Sequence, residues 1–137
     1  MDMRPKQTLN AADRHAHCVC IVDDDAAVRD SLRALLESYG FEIREFDSAA
    51  ALLKTQFGYC CLLVDHRMPV TNGMDLLELL RMGGIDTPAI LMTDKDEPLL
   101  ASRIGAAHAV APLTKPITEP ALIRSIAAAC NGQHCSA

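Results

Sequence analysis

Short apolar runs alternate with amphipathic segments along most of the chain. Three runs are nearly continuous, at residues 18–22, 60–64 and 89–92, which is typical of β-strands covered on both faces. Residues 41–44 alternate between apolar and polar positions and predict a half-exposed strand. A weaker apolar stretch at residues 109–113 predicts a fifth strand.

Helices are predicted between these strands. The first begins after Asp25, its expected N-cap, and ends before Gly40, because apolar residues recur between them with a 3.6-residue period. These apolar positions are Val28, Leu32, Leu35, Leu36 and Tyr39. The other helices are expected at residues 48–54 with Ser48 as cap, at residues 74–81, after Asp96, and after Thr118.

The alternation amounts to five β-α units, which predicts an α/β fold with a parallel sheet and helices on both faces. Five units fit the open flavodoxin-like strand order 2-1-3-4-5 better than a barrel, which needs eight. The fifth strand then lies at an edge, where Pro112 costs no hydrogen bond of the sheet. We expect one domain at residues 18–130, a flexible arm at 1–17 and a tail at 131–137.

Charge and hydropathy narrow the function classes. The chain has 137 residues with 13 Lys and Arg against 18 Asp and Glu, a formal net charge of −5. Direct binding to nucleic acid is not expected, because phosphate contacts need clustered Lys and Arg. No apolar run approaches the ~18 residues of a membrane span, and the first residues lack a signal-peptide pattern. We therefore expect a cytoplasmic protein without membrane contact.

Six cysteines are the other compositional feature. Most lie in apolar runs, where we expect buried thiols rather than a disulfide scaffold. Two groups of His and Cys lie close enough in sequence to suggest a metal site, but neither has the paired C-x-x-C spacing of a zinc site. The groups are His15, His17, Cys18 and Cys20, and Cys130, His134 and Cys135.

Polar residues follow the apolar strands at their carboxyl ends. Asp23 and Asp24 follow the first strand, Asp65 the third, Thr93 the fourth and Lys115 the fifth. Ligands of open α/β sheets bind beyond these ends, so we expect the five side chains to converge in one crevice.

This set of residue types suits phosphoryl chemistry with a divalent cation. Each residue by itself has an ordinary explanation as a cap, a turn or a packed hydroxyl, and Asp25 is assigned to capping alone. Together, three carboxylates repel one another unless a cation joins them, and hard oxygen ligands suit Mg²⁺. A carboxylate can accept a phosphoryl group, and a nearby Lys can hold its charge.

The motifs at these strand ends also resemble a known family. They are Ile21-Val22-Asp23-Asp24-Asp25, Leu63-Val64-Asp65-His66-Arg67-Met68-Pro69 followed by Gly73, then Thr93, and Lys115-Pro116. They resemble the response-regulator receiver domain of two-component signalling over about residues 18–130. The resemblance is strongest to receivers that precede helix-turn-helix output domains in nitrogen-fixation-type regulators.

The resemblance implies specific roles at the metal site. Asp65 would be the phosphoacceptor. Asp24, Asp65 and the backbone carbonyl of Arg67 would coordinate Mg²⁺ directly, and Asp23 would act through water.

It also implies a signalling role. Lys115 would pair with the phosphoryl group, and Thr93 would shift towards it. The donor would be a sensor histidine kinase or a histidine phosphotransfer protein, and output would be contact with a downstream protein of unknown identity. We expect a stand-alone receiver rather than an enzyme, with slow self-dephosphorylation at most, and leave open whether it forms a homodimer.

Two positions depart from the family pattern. Asp94 replaces the small residue that normally follows Thr93, and Pro112 replaces the aromatic residue that turns inward on activation. The residues before it, His108-Ala109-Val110-Ala111, also differ from the usual motif. Either the receiver works with these changes, or its output no longer depends on the Thr–aromatic coupling.

Two alternative functions follow from the same residues. The first is a degenerate receiver that acts as a phosphorylation-independent interaction module. The second is a haloacid-dehalogenase-like phosphatase, which Asp23-x-Asp25 resembles. That motif would need Thr or Val where Ala27 stands and a late acidic pair where only Glu119 follows Lys115.

Overall fold

The computed structural model describes residues 18–55, 61–94, 98–107 and 111–131. Strands and helices alternate through this part of the chain. The strands are β1 (Cys18–Val22), β2 (Glu42–Phe46), β3 (Cys61–Asp65), β4 (Ala89–Thr93) and β5 (Ala111–Thr114). The helices are α1 (Ala26–Ser38), α2 (Ala49–Leu53), α3 (Gly73–Met82), α4 (Pro98–Ala106) and α5 (Glu119–Asn131).

The strands form one parallel sheet in the order β2-β1-β3-β4-β5, which confirms the predicted topology. Pairing places Val22 beside Val64, Asp65 beside Met92, and Thr93 beside Thr114. The carboxyl ends of β1, β3, β4 and β5 therefore lie along one edge of the sheet. β2 and β5 are the outer strands, as predicted.

Alternate residues of the central strands enter two separate hydrophobic clusters. All residues of β1, β3 and β4 are buried, whereas β2 is partly exposed. Val22 and Val64 pack in the cluster that α3 completes, and Ile21 and Leu63 pack in the cluster that α1 and α5 complete. Helices thus cover both faces of the sheet. No helix within the described ranges is long and apolar enough to cross a membrane.

Polar side chains begin the helices. Asp25 accepts hydrogen bonds from the Ala27 and Val28 N–H groups, and Ser48 accepts one from Ala51. Thr118 accepts one from the Ala121 N–H at 3.3 Å. These three caps confirm the predictions, whereas the expected cap Asp96 lies outside the described residues. Asn72 caps α3 by accepting a hydrogen bond from the Asp75 N–H at 2.8 Å, a cap that was not predicted from the sequence.

Two predicted apolar faces differ in detail. Tyr39 is 41% exposed instead of packing with the rest of its stripe, because α1 ends at Ser38 and the chain turns there. The buried face of α5, which packs on β3, β4 and β5, is rotated from the predicted one. Its buried apolar side chains are Leu122, Ile126 and Ala129, with Ile123 and Cys130 only partly buried.

The cysteines divide into two groups. Cys18, Cys20 and Cys61 are thiols buried in the sheet, as expected. Burial raises the pKa of the Cys20 thiol, and neighbouring Cys18 raises it further, so Cys20 stays protonated and inert. Cys130 departs from the expectation because it is disulfide-bonded.

Several predictions fall outside the described residues. They concern Cys60, His15, His17, His134 and Cys135. The arm at 1–17 and most of the tail at 131–137 lie outside the described residues as well, so the domain boundaries stay predictions.

Candidate functional site

The five predicted site residues lie at the carboxyl edge of the sheet. Asp23, Asp65 and Thr93 are 1%, 5% and 4% exposed, and they are the buried charged or polar residues of the described part of the chain. Asp24 is exposed, and Lys115 is partly buried. Burying polar groups is costly unless they interact, so their concentration at one edge marks a built site.

Three carboxylates form the centre of this site. Asp23, Asp24 and Asp65 each offer an oxygen, and these oxygens lie within 4.8 Å of one another. Asp23 Oδ1 accepts a hydrogen bond from the Asp25 N–H at 2.9 Å, which the turn after β1 makes possible. Asp23 Oδ2 is buried and has no hydrogen-bond partner among the described residues.

The electrostatics of Asp23 reflect this crowding. Burial raises its pKa above the ordinary aspartate value, and the carboxylates of Asp65 and Asp24 raise it further. The Asp25 N–H and Lys115 lower the pKa, but not enough to cancel these effects. A buried carboxylate oxygen without a partner, beside two more carboxylates, fits a divalent cation coordinated by hard oxygens.

Lys115 is held against Asp65 by the pairing of β4 with β5. Its backbone N–H donates to the Thr93 carbonyl at 2.6 Å, and its Nζ donates to Asp65 Oδ1 at 3.0 Å. Burial lowers the pKa of Lys115, but the hydrogen bond and the negative charge of Asp65 outweigh it and raise the pKa overall. One ammonium therefore faces an excess of carboxylates, which leaves negative charge for a cation to neutralise.

Gly73 allows α3 to begin directly against the end of β3. A Cβ at this position would lie 2.6 Å from the Asp65 carbonyl oxygen, 2.7 Å from Leu91 Cδ1 and 2.8 Å from His66 Cα. The Gly73 N–H donates to the His66 carbonyl at 3.0 Å, and the Met74 N–H donates to His66 Nδ1 at 3.3 Å. The loop after Asp65 is thus anchored by hydrogen bonds from the start of α3 to the backbone and the side chain of His66.

An ion pair at the rim of the site was not predicted from the sequence. Arg67 Nε lies 2.9 Å from Asp94 Oδ2, and Asp94 Oδ1 lies 3.9 Å from Lys115 Nζ. A signal for it exists in the sequence. Asp65 pairs with Met92 in the sheet, so Arg67 and Asp94 stand at equal offsets beyond neighbouring strands with opposite charges.

A cavity adjoins this ion pair. It has a volume of about 330 Å³ and is lined by His66, Arg67, Met68, Asn72 and Asp94. It opens on the rim beside the carboxylate cluster, so it belongs to the same site.

Two other sequence positions lie away from the carboxylates. Asp25 caps α1 with its side chain, which confirms the capping assignment. It is not part of the carboxylate cluster, although a phosphatase Asp-x-Asp motif would need both of its aspartates there. Pro112 is exposed on the outer strand β5, in register with Leu91.

A family model for the response regulator receiver domain matches residues 19–127. The chain belongs to this family. Receiver domains are phosphoacceptor signalling domains that histidine kinases phosphorylate, and they typically bind Mg²⁺ in an acidic pocket.

Curated relatives and solved structures agree with this assignment. The transcriptional regulatory protein FixJ of Azorhizobium caulinodans is 39% identical over 80% of the chain and 53% of the relative, and FixJ of Bradyrhizobium diazoefficiens is 36% identical over 81% and 55%. The crystal structure of FixJ-N is 32% identical with a TM-score of 0.77, covering 85% of this chain and 95% of that one. The receiver therefore spans about half the length of the curated relatives it matches.

Proposed function

We propose that this receiver domain accepts a phosphoryl group on Asp65 from a phosphohistidine donor and signals by protein–protein contact. One observation carries the proposal. Asp65 is buried to 5% exposure, receives the Lys115 ammonium at 3.0 Å, and lies within 4.8 Å of the oxygens of Asp23 and Asp24. That arrangement combines a nucleophilic carboxylate with groups that hold a developing phosphoryl charge.

The proposed step is a transfer between two protein side chains. An Asp65 carboxylate oxygen forms a bond to phosphorus, and the P–N bond of the donor phosphohistidine breaks. The electron pair of that bond stays on the imidazole nitrogen, which then takes a proton. Lys115 pairs with a phosphoryl oxygen, and the Thr93 hydroxyl donates to another.

The proposed Mg²⁺ site has three direct ligands, which are the carboxylates of Asp24 and Asp65 and the backbone carbonyl of Arg67. Asp23 acts through water. The unpartnered Asp23 Oδ2 and the surplus of carboxylates over ammonium groups support this site. When bound, the cation supplies positive charge that offsets both the carboxylates and the transferring phosphoryl oxygens.

The histidine kinase or phosphotransfer donor, the downstream protein partner and the cytoplasmic location are parts of this proposal. The stand-alone organisation stays a prediction, because the relatives are about twice as long as the matched region.

The test is phosphorylation of the chain by a small phosphodonor. Incubation with acetyl phosphate and Mg²⁺ is expected to add one phosphoryl group to the intact mass. The gain should disappear in D65N and on chelation of Mg²⁺. It should persist in D86N, a matched loss of one carboxylate at the exposed position before β4, on the opposite edge of the sheet.

A second candidate function is a phosphorylation-independent interaction module. The position of the Asp94 carboxylate 3.9 Å from the Lys115 ammonium favours it, because a carboxylate there competes with a phosphoryl group for the same cation. No mass gain at saturating donor and Mg²⁺ would favour this candidate over the first. Release of many phosphates per chain from a phosphoester would instead point to a phosphatase.

A further inference from the structure

Asp94 contacts two cations at the rim of the acceptor site. Its carboxylate lies 2.9 Å from Arg67 Nε on one oxygen and 3.9 Å from Lys115 Nζ on the other. Lys115 also donates to Asp65 at 3.0 Å, so one ammonium is shared between the two carboxylates. Lys115, the cation that contacts the Asp65 carboxylate among the described residues, thus already faces a second anion.

The local charges show what this sharing does. Among the described residues, the carboxylate cluster and the ion pairs of Asp94 together comprise four carboxylates and two cationic side chains, and a bound divalent cation brings this set to neutrality. The carboxylates are Asp23, Asp24, Asp65 and Asp94, and the cations are Arg67 and Lys115. Converting a carboxylate into an acyl phosphate dianion adds one further negative charge. Without the charge of Asp94, the phosphorylated site would be the neutral one.

We propose that Asp94 is an intramolecular competitor of the phosphoryl group, which it opposes by occupying Lys115 and Arg67 in the unphosphorylated state. Phosphorylation of Asp65 then draws Lys115 from Asp94 to the phosphoryl oxygens. This inference rests on the proposed phosphoacceptor function and concerns how strongly the site holds its phosphoryl group.

Burial decides which contact carries the effect. The Asp94 and Lys115 side chains are each 32% exposed, whereas Arg67 is 80% exposed. An exposed ion pair is weak and screened by salt, so Arg67 contributes little and Lys115 dominates. The Asp94 carboxylate and a phosphoryl group roughly 6 Å apart repel each other. At an effective dielectric of about 20–40, and reduced for this exposure, the repulsion corresponds to a change of about 3- to 30-fold in the affinity of the site for the phosphoryl group.

The test uses two probes that respond to Asp94 with opposite signs. Beryllofluoride with Mg²⁺ mimics the phosphoryl group, and D94N is expected to bind it about 3- to 30-fold more tightly than the wild type in a ¹⁹F NMR titration. Mg²⁺ alone, measured by calorimetry, should bind about 2- to 5-fold more weakly to D94N, because an anion near the cation is lost. A merely structural disturbance would weaken both.

Matched variants isolate the charge. D94E keeps the carboxylate and should bind both probes nearly as the wild type does, whereas D86N removes a remote carboxylate and should change neither. The gain in D94N should also shrink at 1 M salt, because partly exposed charges are screened. Thermal melts of D94N and D94E check that both variants fold.

The outcomes separate this inference from the proposed function. If the wild type binds beryllofluoride and D94N binds it no better, the inference is wrong and the phosphoacceptor function stands. If D94N loses affinity for both probes, Asp94 has a structural role only, and the inference is also wrong. If no variant binds beryllofluoride or gains a phosphoryl group, the proposed function fails and the inference fails with it.

Discussion

The two sides of the pocket are built in different ways. On the β1–β3 side, backbone N–H groups hold the carboxylates: the Asp25 N–H donates to Asp23 at 2.9 Å and the Arg67 N–H donates to Asp65 at 3.3 Å. On the β4–β5 side, Asp94 is held instead by side-chain ion pairs, one with Lys115 and one with the exposed Arg67 from the loop after β3. The first side follows the receiver pattern, and the second departs from it at Asp94 and Pro112.

The two kinds of contact tolerate amino-acid substitution to different degrees. A backbone hydrogen bond inside a packed turn fixes a carboxylate through several neighbours at once, so one substitution there disturbs many contacts. An exposed ion pair depends on two flexible side chains and contributes little to stability. New charges can therefore enter the β4–β5 side while the acid cluster keeps its geometry.

The largest expected effect tests whether packing holds the β1–β3 side. G73A is expected to lower the free energy of unfolding by about 2–3 kcal/mol, because the added Cβ would overlap the Asp65 carbonyl oxygen and Leu91. Urea unfolding measures it. The matched control is G105A in α4, because a Cβ there meets nothing within 4 Å. This substitution should stabilise the helix by about 0.5–1 kcal/mol. Equal effects of the two substitutions would contradict the comparison.

The second prediction concerns the charge repulsion on the same side. D23N should raise the free energy of unfolding without Mg²⁺ by about 1 kcal/mol, because it removes a buried charge beside two like charges. Saturating Mg²⁺ should stabilise the wild type by about 1–3 kcal/mol and D23N by clearly less. Thermal melts with Mg²⁺ and with a chelator measure both. A D23N protein that is less stable than the wild type in the chelator would overturn this account.

A third prediction addresses the loop that joins the acid cluster to α3. Val70 has a φ of 68°, in the left-handed region that is unfavourable for a β-branched residue. Its side chain is fully exposed, so no buried apolar contact offsets the cost of this conformation. V70N should raise the free energy of unfolding by about 1 kcal/mol, because Asn adopts this conformation readily. Chemical unfolding of the two proteins side by side measures the change, and a loss of stability would show that the loop is not strained.

The smallest expected effect concerns an ion pair between α3, which follows β3, and α4, which follows β4. Arg103 of α4 donates to Glu78 of α3 at 2.8 Å, and this hydrogen bond lowers the pKa of the Glu78 carboxyl. E78Q should cost about 0.5 kcal/mol at pH 7, since both side chains are substantially exposed.

The effect of E78Q should also depend on pH in a defined direction. A carboxylate whose folded pKa is lowered adds stability that is present above the ordinary glutamate pKa and is lost as the pH falls through the folded pKa. The difference between E78Q and wild type should therefore begin to shrink near pH 4.5 and vanish only as the pH falls below the lowered pKa of Glu78 in the folded protein, as measured by urea unfolding across this range. E42Q at the amino end of β2 is the matched control. A difference that persists in acid would assign the effect to packing instead.

Several features of the fold were predictable from local pattern. The strand order follows from alternation and from the half-polar pattern of residues 41–44, since a half-exposed strand belongs at an edge. The caps Asp25, Ser48 and Thr118 were predictable because a short polar side chain before an apolar period satisfies nearby N–H groups. Tyr39 was not, because the pattern extends past the point at which α1 ends.

The candidate site likewise contains residues that were predictable from local sequence and one contact that was not. Asp23, Asp65, Thr93 and Lys115 could be placed from sequence because each lies at a strand end, and parallel strands bring their carboxyl ends to one edge. The close approach of the Gly73 backbone to the Asp65 carbonyl was not predictable, because the hydrophobic pattern does not report which backbone segments lie close together.

The chemical groups at the carboxyl ends of the strands are predictable from local sequence, because the period and the end of a strand are properties of neighbouring residues. How those groups share their charges depends on tertiary contacts. Asp94 meets Arg67 and Lys115 through side-chain torsions and the register of β3, β4 and β5, and these depend on contacts between residues distant in the chain.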